Sequence, residues 1–365
     1  MRPRLLIFAM GLLLATLLVA GCSDSDTPDP RQENVSQSPP EADQGVPADE
    51  PVAEVASQVE PSVVQVNVSG AQTTPFGSQE QSSGLGSGVI YRQDGYVITN
   101  NHVVEGASEV SVALADGSTE QGEIVGTDPL TDLAVVRVDR NDLPAASFKG
   151  DGAPTVGQLA VAIGSPSGFE STVTAGVISG LNRDLPPELT GGGEGAAALV
   201  DLVQTDAAIS PGNSGGALAN RSGQVMGINV AYLPPQTGAE GIGFAIPSDT
   251  AISVADQLIE TGEVAKPYLG IGLADLSRQD AEQFNLPVES GALVTEVQPG
   301  TPADSAGLRA EEIITALDDT PIEDSGDLLA ALRDYQPGDT VQVTVVERNG
   351  NERTVDLTLD ERPQQ

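Results

Sequence analysis

Apolar and polar positions first alternate in a sustained way in "VVQVNV", residues 63–68, where valines at every second position read as a half-buried strand. The polar Gly/Ser/Gln stretch that follows, 69–87, reads as a surface loop. "GSGVIYRQDGYVITNNHVV" (86–104) holds two β-type runs joined across Asp94-Gly95, and "EVSVALADGSTEQGEIVGTD" (109–128) repeats the device at Asp116-Gly117. "LAVVRV" and "QLAVAIGSP" add further strands, and up to about residue 245 no amphipathic helix interrupts them. The expectation is an antiparallel, mainly β domain built as barrels. "PSDTAISVADQLIETGE" then places apolar residues at helical spacing behind a Ser248 or Asp249 cap, so a helix closes this domain. After "VAKPY" the pattern restarts. Strand-rich sequence from 268 to 360, with helix candidates at "RQDAEQF", "PADSAGL" and "SGDLLAALRDY", forms a second, smaller domain.

The N-terminus belongs to neither domain. Arg2 and Arg4 precede an apolar run from Leu5 to Ala20 that stops at small residues, the layout of an export signal and too short for a spanning helix. "LVAGC" resembles the lipobox of bacterial lipoproteins, which implies removal of residues 1–21 and acylation of Cys22, the one cysteine in the chain. Residues 22–56 are acidic, Pro-rich and poor in large apolar groups, and read as a disordered tether. The formal net charge of −37 excludes a general nucleic-acid-binding surface, since phosphate contacts need clustered Lys and Arg. The acid excess is spread along the chain as a solvating surface, one suited to high salt.

Candidate chemistry is constrained by the single histidine. A serine hydrolase needs a base for the hydroxyl proton, a carboxylate to orient that base and donors for the oxyanion. His102 follows a strand in "VITNNHVVEG". Asp132 stands at the mouth of the apolar strand in "DPLTDLAVVRV", with Asp128 and Asp206 as alternatives, while Asp94 and Asp116 are accounted for by hairpin turns. Ser214 lies in "GNSGG", where glycines permit a sharp turn and close approach of a substrate carbonyl.

Four motifs in one order, "TNNHVV", "TDLAVV", "TDAAISPGNSGGAL" and "GIGFAIP", are similar to those of the HtrA/Deg family of chymotrypsin-fold serine proteases, and the second domain resembles a PDZ domain. The resemblance implies a trypsin-like double β-barrel at 57–262 and a PDZ domain at 266–361. It implies His102 as base, Asp132 as its orienter, Ser214 as nucleophile, and an oxyanion hole from Gly212 and Ser214 N–H helped by Asn213. It places Ile209 and Tyr232 at the primary pocket, for small or medium apolar side chains, and Tyr268, Leu269, Gly270 and Ile271 in the loop that captures a peptide C-terminus. No metal or organic cofactor is called for. The family's usual Gly-Asp pair after "GL" is replaced around Ala310, Glu311 and Glu312, which puts that turn's geometry in question. The Gly-rich segment 182–198 falls where the family links peptide binding to the active site. The resemblance implies a lipid-anchored, periplasmic, ATP-independent endopeptidase acting on unfolded envelope proteins as a homotrimer or a multiple of it, the alternatives being a regulatory protease cutting one membrane signalling protein and a non-proteolytic PDZ chaperone or binding module.

Overall fold

Near-continuous apolar runs such as "LAVVRV" imply strands buried on both faces. In the computed structural model of the protein they are. The structure describes residues 50–73, 79–150, 153–165, 171–186, 198–210, 212–232, 241–276, 278–284, 286–333 and 335–362, all within one compact unit. The export signal, Cys22, most of the tether and positions 187–197 of the Gly-rich segment lie outside the described residues.

β1 (Val63–Thr73), β2 (Gln79–Ile90), β3 (Tyr96–Asn100), β4 (Glu109–Ala113), β5 (Thr119–Asp128) and β6 (Leu133–Val138) close a barrel in the order β1-β2-β3-β6-β5-β4. β7 (Leu159–Gly164), β8 (Thr172–Leu185), β9 (Leu199–Thr205), β10 (Ala217–Ala219), β11 (Val225–Tyr232) and β12 (Gly243–Pro247) close a second, ordered β10-β11-β12-β9-β8-β7. The two-residue period of a strand divides each run between two cores. Val64, Val66, Val97, Ala134 and Val136 fill the first barrel, and Ala160, Ala162, Leu218 and Met226 the second. Their neighbours Val63, Ile98, Leu133 and Val135 point the other way, into a shared core with Val161, Ile163, Ala217, Ile228 and Ile246.

Two expectations are corrected. The stretch 69–87 is largely hairpin, since β1 and β2 pair from Val63↔Val89 to Thr73↔Gln79. Residues 51–56, read as the end of the tether, belong to helix α1 (Pro51–Val59), whose Val55 and Val59 are buried in the shared core. A short helix, α2 (Asn101–Val104), also interrupts the strands directly after β3. The domain-closing helix α3 (Ser248–Thr261) forms as expected, although Pro247 is its N-cap and Asp249 sits in the first turn. Gly262, at φ 82°, ends it with an N–H donated to Leu258 O at 3.0 Å, the left-handed stop that glycine makes cheaply.

The C-terminal domain comprises β13 (Pro267–Tyr268), β14 (Ile271–Asp275), α4 (Arg278–Phe284), β15 (Ala292–Val297), α5 (Pro302–Ser305), β16 (Ile313–Leu317), β17 (Thr320–Pro321), α6 (Ser325–Leu332), β18 (Thr340–Val346), β19 (Glu352–Thr358) and β20 (Asp360–Glu361). Its main sheet runs β14-β15-β16-β18-β19, with β17 beside β16 and β13 paired to β20. The three helix candidates read from the sequence become α4, α5 and α6. Asp324 caps α6 by accepting the Asp327 N–H at 2.9 Å, which satisfies a donor the helix cannot.

Candidate active site

β3 ends at Asn100 and the chain turns at once into α2, so His102 projects from the rim of the first barrel. Asp132 stands one residue before β6, the neighbour of β3, and adopts φ 56°. That left-handed backbone, which aspartate tolerates better than most residues, lets one residue hold the histidine turn at three points. Asp132 O accepts the Asn101 N–H and Asn100 Nδ2, both at 3.0 Å, and Asp132 Oδ1 accepts the His102 N–H at 2.9 Å. The remaining oxygen, Oδ2, lies 2.7 Å from His102 Nδ1. A carboxylate only accepts, so Nδ1 is assigned the proton, leaving Nε2 as a basic lone pair. The His102 side chain is 46% exposed and that of Asp132 11%, a half-open imidazole backed by a sheltered carboxylate. The two other aspartates considered for this role are engaged elsewhere. Asp128 Oδ2 accepts Thr131 Oγ1 at 2.8 Å, and Asp206 Oδ1 accepts the Val177 N–H at 2.6 Å.

Ser214 comes from the second barrel, on the loop leading into β10. Asn213 N–H donates to Ser210 O at 2.9 Å with Gly212 at φ 96°, a tight turn. The next two glycines are required by backbone approach. Gly215 has φ 82°, and a Cβ on it would overlap Ser87 O, while one on Gly216 would overlap Ile163 O. The loop is thereby seated on the first barrel. Ser87 N–H donates to Ser214 O at 2.8 Å, and Thr99 Oγ1, three residues before His102, donates to Ser87 O at 2.7 Å. Ser214 Oγ itself donates to Val230 O at 3.3 Å.

Asn213 departs from expectation. Its N–H is taken by Ser210 O, and its side chain, 1% exposed, packs on Gly164, so it faces the interior rather than an oxyanion. The donors left on this loop for a developing negative charge are Gly212 N–H and Ser214 N–H. Ile209 is buried and packs closely against Gly243, where an added Cβ would come within 2.9 Å of its side chain. The side chain of Tyr232 lies outside those described. Sequence reasoning missed Ser87 and Thr99. Their signal was present in "GSGVI" and "VITNNHVV", but a small hydroxyl residue inside a strand has no distinguishing local pattern.

In the C-terminal domain, Tyr268, Leu269, Gly270 and Ile271 run from β13 into β14, the edge strand of its sheet, with Gly270 at φ 84° against Thr301. An edge strand offers unpaired backbone groups to an added chain. The questioned turn at 309–312 is closed by different chemistry. Glu311 takes φ 71°, and the buried Glu312 accepts the Arg309 N–H at 2.9 Å and Arg353 Nη2 at 2.7 Å. The C-terminal domain also meets the second barrel directly, through α6. Gly326 of α6 lies so close to the Asp184 carboxylate of β8 that a Cβ there would overlap it, and a cavity of about 920 Å³ between the domains is lined by Asp201, Asp249, Lys266 and Arg333 among others. Burial pushes the Asp201 carboxyl up to about 6, against the opposing pull of Arg333, whose own guanidinium burial lowers it.

A double barrel with a histidine–aspartate pair on one half and a glycine-framed serine on the other, followed by a peptide-edge domain, defines a trypsin-like peptidase joined to a PDZ domain. Residues 86–228 match the trypsin-like peptidase domain family and residues 267–359 the PDZ domain family. A protein of Marinomonas sp. (strain MWYL1) named probable periplasmic serine endoprotease DegP-like is 42% identical over 294 residues, covering 79% of this chain and 61% of that protein. Serine protease Do-like HtrB of Bacillus subtilis (strain 168) is 38% identical over 328 residues, covering 84% and 70%. Among solved structures, the HtrA-type protease AlgW with decapeptide superposes with TM-score 0.68 at 33% identity, covering 86% of this chain and 99% of that one. The chain belongs to the HtrA/Deg family. It spans about three-fifths of the length of the DegP-like relatives it matches, 61% and 58% for the Marinomonas and Halomonas elongata proteins.

Proposed function

We propose that the protein is an exported serine endopeptidase that cuts unfolded envelope proteins and is regulated by peptides at its PDZ domain. The observation that carries this reading is the 2.7 Å contact of His102 Nδ1 with Asp132 Oδ2, beside a serine loop hydrogen-bonded to the same barrel. In the proposed mechanism Ser214 Oγ leaves Val230 O and turns to His102 Nε2, which takes its proton as the oxygen attacks the scissile carbonyl. Asp132 holds the ring in the tautomer that makes this possible and stabilises the imidazolium. Gly212 and Ser214 N–H bind the oxyanion, His102 returns the proton to the leaving amine, and water repeats the cycle on the acyl-enzyme. Ile209 and Tyr232 shape a pocket for small or medium apolar side chains. A ligand C-terminus docks on the Tyr268–Ile271 loop and extends along β14, and the segment 182–198 carries its arrival to the active site. The peptide-bound AlgW neighbour supports such docking.

The relatives' names support a periplasmic location. Acylation of Cys22 would anchor the chain to a membrane through the segment that precedes α1, with a homotrimer or a multiple of it as the working assembly. The test is digestion of unfolded casein by the full chain and by Ser214→Ala, each with and without a peptide ending in an apolar residue. Wild-type cleavage that rises with peptide, and a drop of about 10⁴-fold or more in Ser214→Ala, is the expected outcome. A Ser214→Ala protein that cuts like wild type removes the reading.

A further inference from the structure

The geometry points to Ser87 as a positioning residue for catalysis, one that aims the Ser214 N–H at the oxyanion by clamping the peptide units on either side of it. Ser87 is fully buried in β2 of the first barrel. Its Oγ donates to Gly212 O at 2.6 Å and accepts the Ser165 N–H at 2.8 Å, so both hydroxyl functions are engaged. Its backbone N–H donates to Ser214 O at 2.8 Å. One residue therefore holds the carbonyls of both the Gly212–Asn213 and the Ser214–Gly215 peptides.

The consequence follows from the planarity of the trans peptide, in which C=O and N–H point in opposite directions. The unit between the two clamped ones is Asn213–Ser214. Its carbonyl accepts the Gly216 N–H at 2.9 Å, so its N–H, that of Ser214, is directed away from the loop interior. With both flanking units fixed by Ser87, the Cα atoms at the two ends of this middle unit are held in place, and it can turn only about the axis between them, at the cost of the Gly216 N–H bond to its carbonyl. The clamp is also referenced to the base, because Thr99 Oγ1 on the strand leading to His102 donates to Ser87 O at 2.7 Å. Ser87 touches neither substrate nor the reacting atoms. It ties the serine half of the site, 125 residues away in sequence, to the histidine half.

The inference rests on the protease reading, and the experiment separates the two. The full chain, Ser87→Ala, Ser87→Cys and Ser214→Ala are compared for kcat and KM on a quenched fluorescent peptide. Inhibition by a peptidyl boronic acid, which becomes tetrahedral on a serine oxygen and fills the oxyanion position, is measured beside it, and the Tm of each protein checks folding. Ser87→Cys keeps the side-chain shape with a slightly larger γ atom while replacing the hydroxyl by a poor hydrogen-bonding group, and Ser87→Ala removes the group without adding volume. The expected result is a kcat lowered about 10- to 100-fold in both Ser87 variants, with KM within about twofold and boronate Ki raised in proportion to the kcat loss. A Ser87→Cys protein with wild-type kcat and Ki overturns the inference, since volume alone would then suffice. So does a loss of kcat in Ser87→Cys with boronate affinity unchanged. A wild type that neither cuts nor takes the boronate overturns the protease reading, and this inference with it; an active wild type beside unimpaired Ser87 variants overturns this inference alone.

Discussion

Glu311 sits at φ 71° with its side chain in solvent, paired only at 3.8 Å with Arg348, so its conformation rather than its contacts sets its energetic effect. A left-handed non-glycine residue costs about 1–2 kcal/mol, while glycine there would lose about 0.4–1 kcal/mol through the freer unfolded chain. Glu311→Gly is therefore expected to stabilise the PDZ domain by about 0.5–1 kcal/mol in urea denaturation, and a destabilised variant would show that the strain is illusory. Glu312 is different. Buried and held by Arg353, its carboxylate closes the turn by accepting the Arg309 N–H and a charge-assisted bond from the guanidinium. The residue types at the active site were legible for a local reason, because "GNSGG" carries its own backbone constraint in Gly212, Gly215 and Gly216. Ser87 was not legible, because its partners Gly212, Ser165 and Ser214 are brought to it only by the packing of one barrel on the other.

Among the elements, α1 shows where periodicity runs out. Nine residues make two and a half turns, too few for a repeat to stand out from an acidic, Pro-rich segment, and a helix that short is marginal on its own. It persists because Val55 and Val59 enter the core shared by both barrels and Gln58 Nε2 donates to Ser222 O at 3.4 Å. Val59→Ala is expected to lower stability by about 2 kcal/mol, from two lost methyl groups and the space they leave. Thermal or denaturant unfolding of the full chain measures it, and a loss below a few tenths would mean that the helix merely rests on the barrel. The β1–β2 hairpin illustrates the converse. Strand pairing is made by backbone groups, so residues 69–73 and 79–87 form a ladder without the alternation that would have announced it.

At the scale of the whole molecule, the contact between PDZ domain and second barrel concentrates charge. Asp201 of β9 is faced by Asp184 on β8, Asp249 on α3, and Asp327 and Arg333 at the two ends of α6. Its carboxyl, at about 6 in the folded chain, lies above the unfolded value near 3.9, so the folded state holds the proton more tightly. Stability from this group is full below about pH 4 and is lost as pH rises through 6. Asp201→Asn keeps a neutral side chain at all pH, and asparagine tolerates the φ of 62° found there. Its Tm is expected to match wild type near pH 4 and exceed it at pH 7.5. A lower Tm at pH 7.5 would mean that the attraction to Arg333 outweighs burial.

The sequence by itself determined most of the strands, the closing helix and the candidate reacting groups, because strand alternation, turn glycines and a lone histidine are local properties of the chain. It left the oxyanion frame and the helical start of the protease domain undecided. Both depend on long-range packing that no local pattern carries: α1 forms because Val55 and Val59 enter the shared core, the Asn213 side chain is buried against Gly164, and Ser87 becomes a clamp because two closed barrels press their rims together.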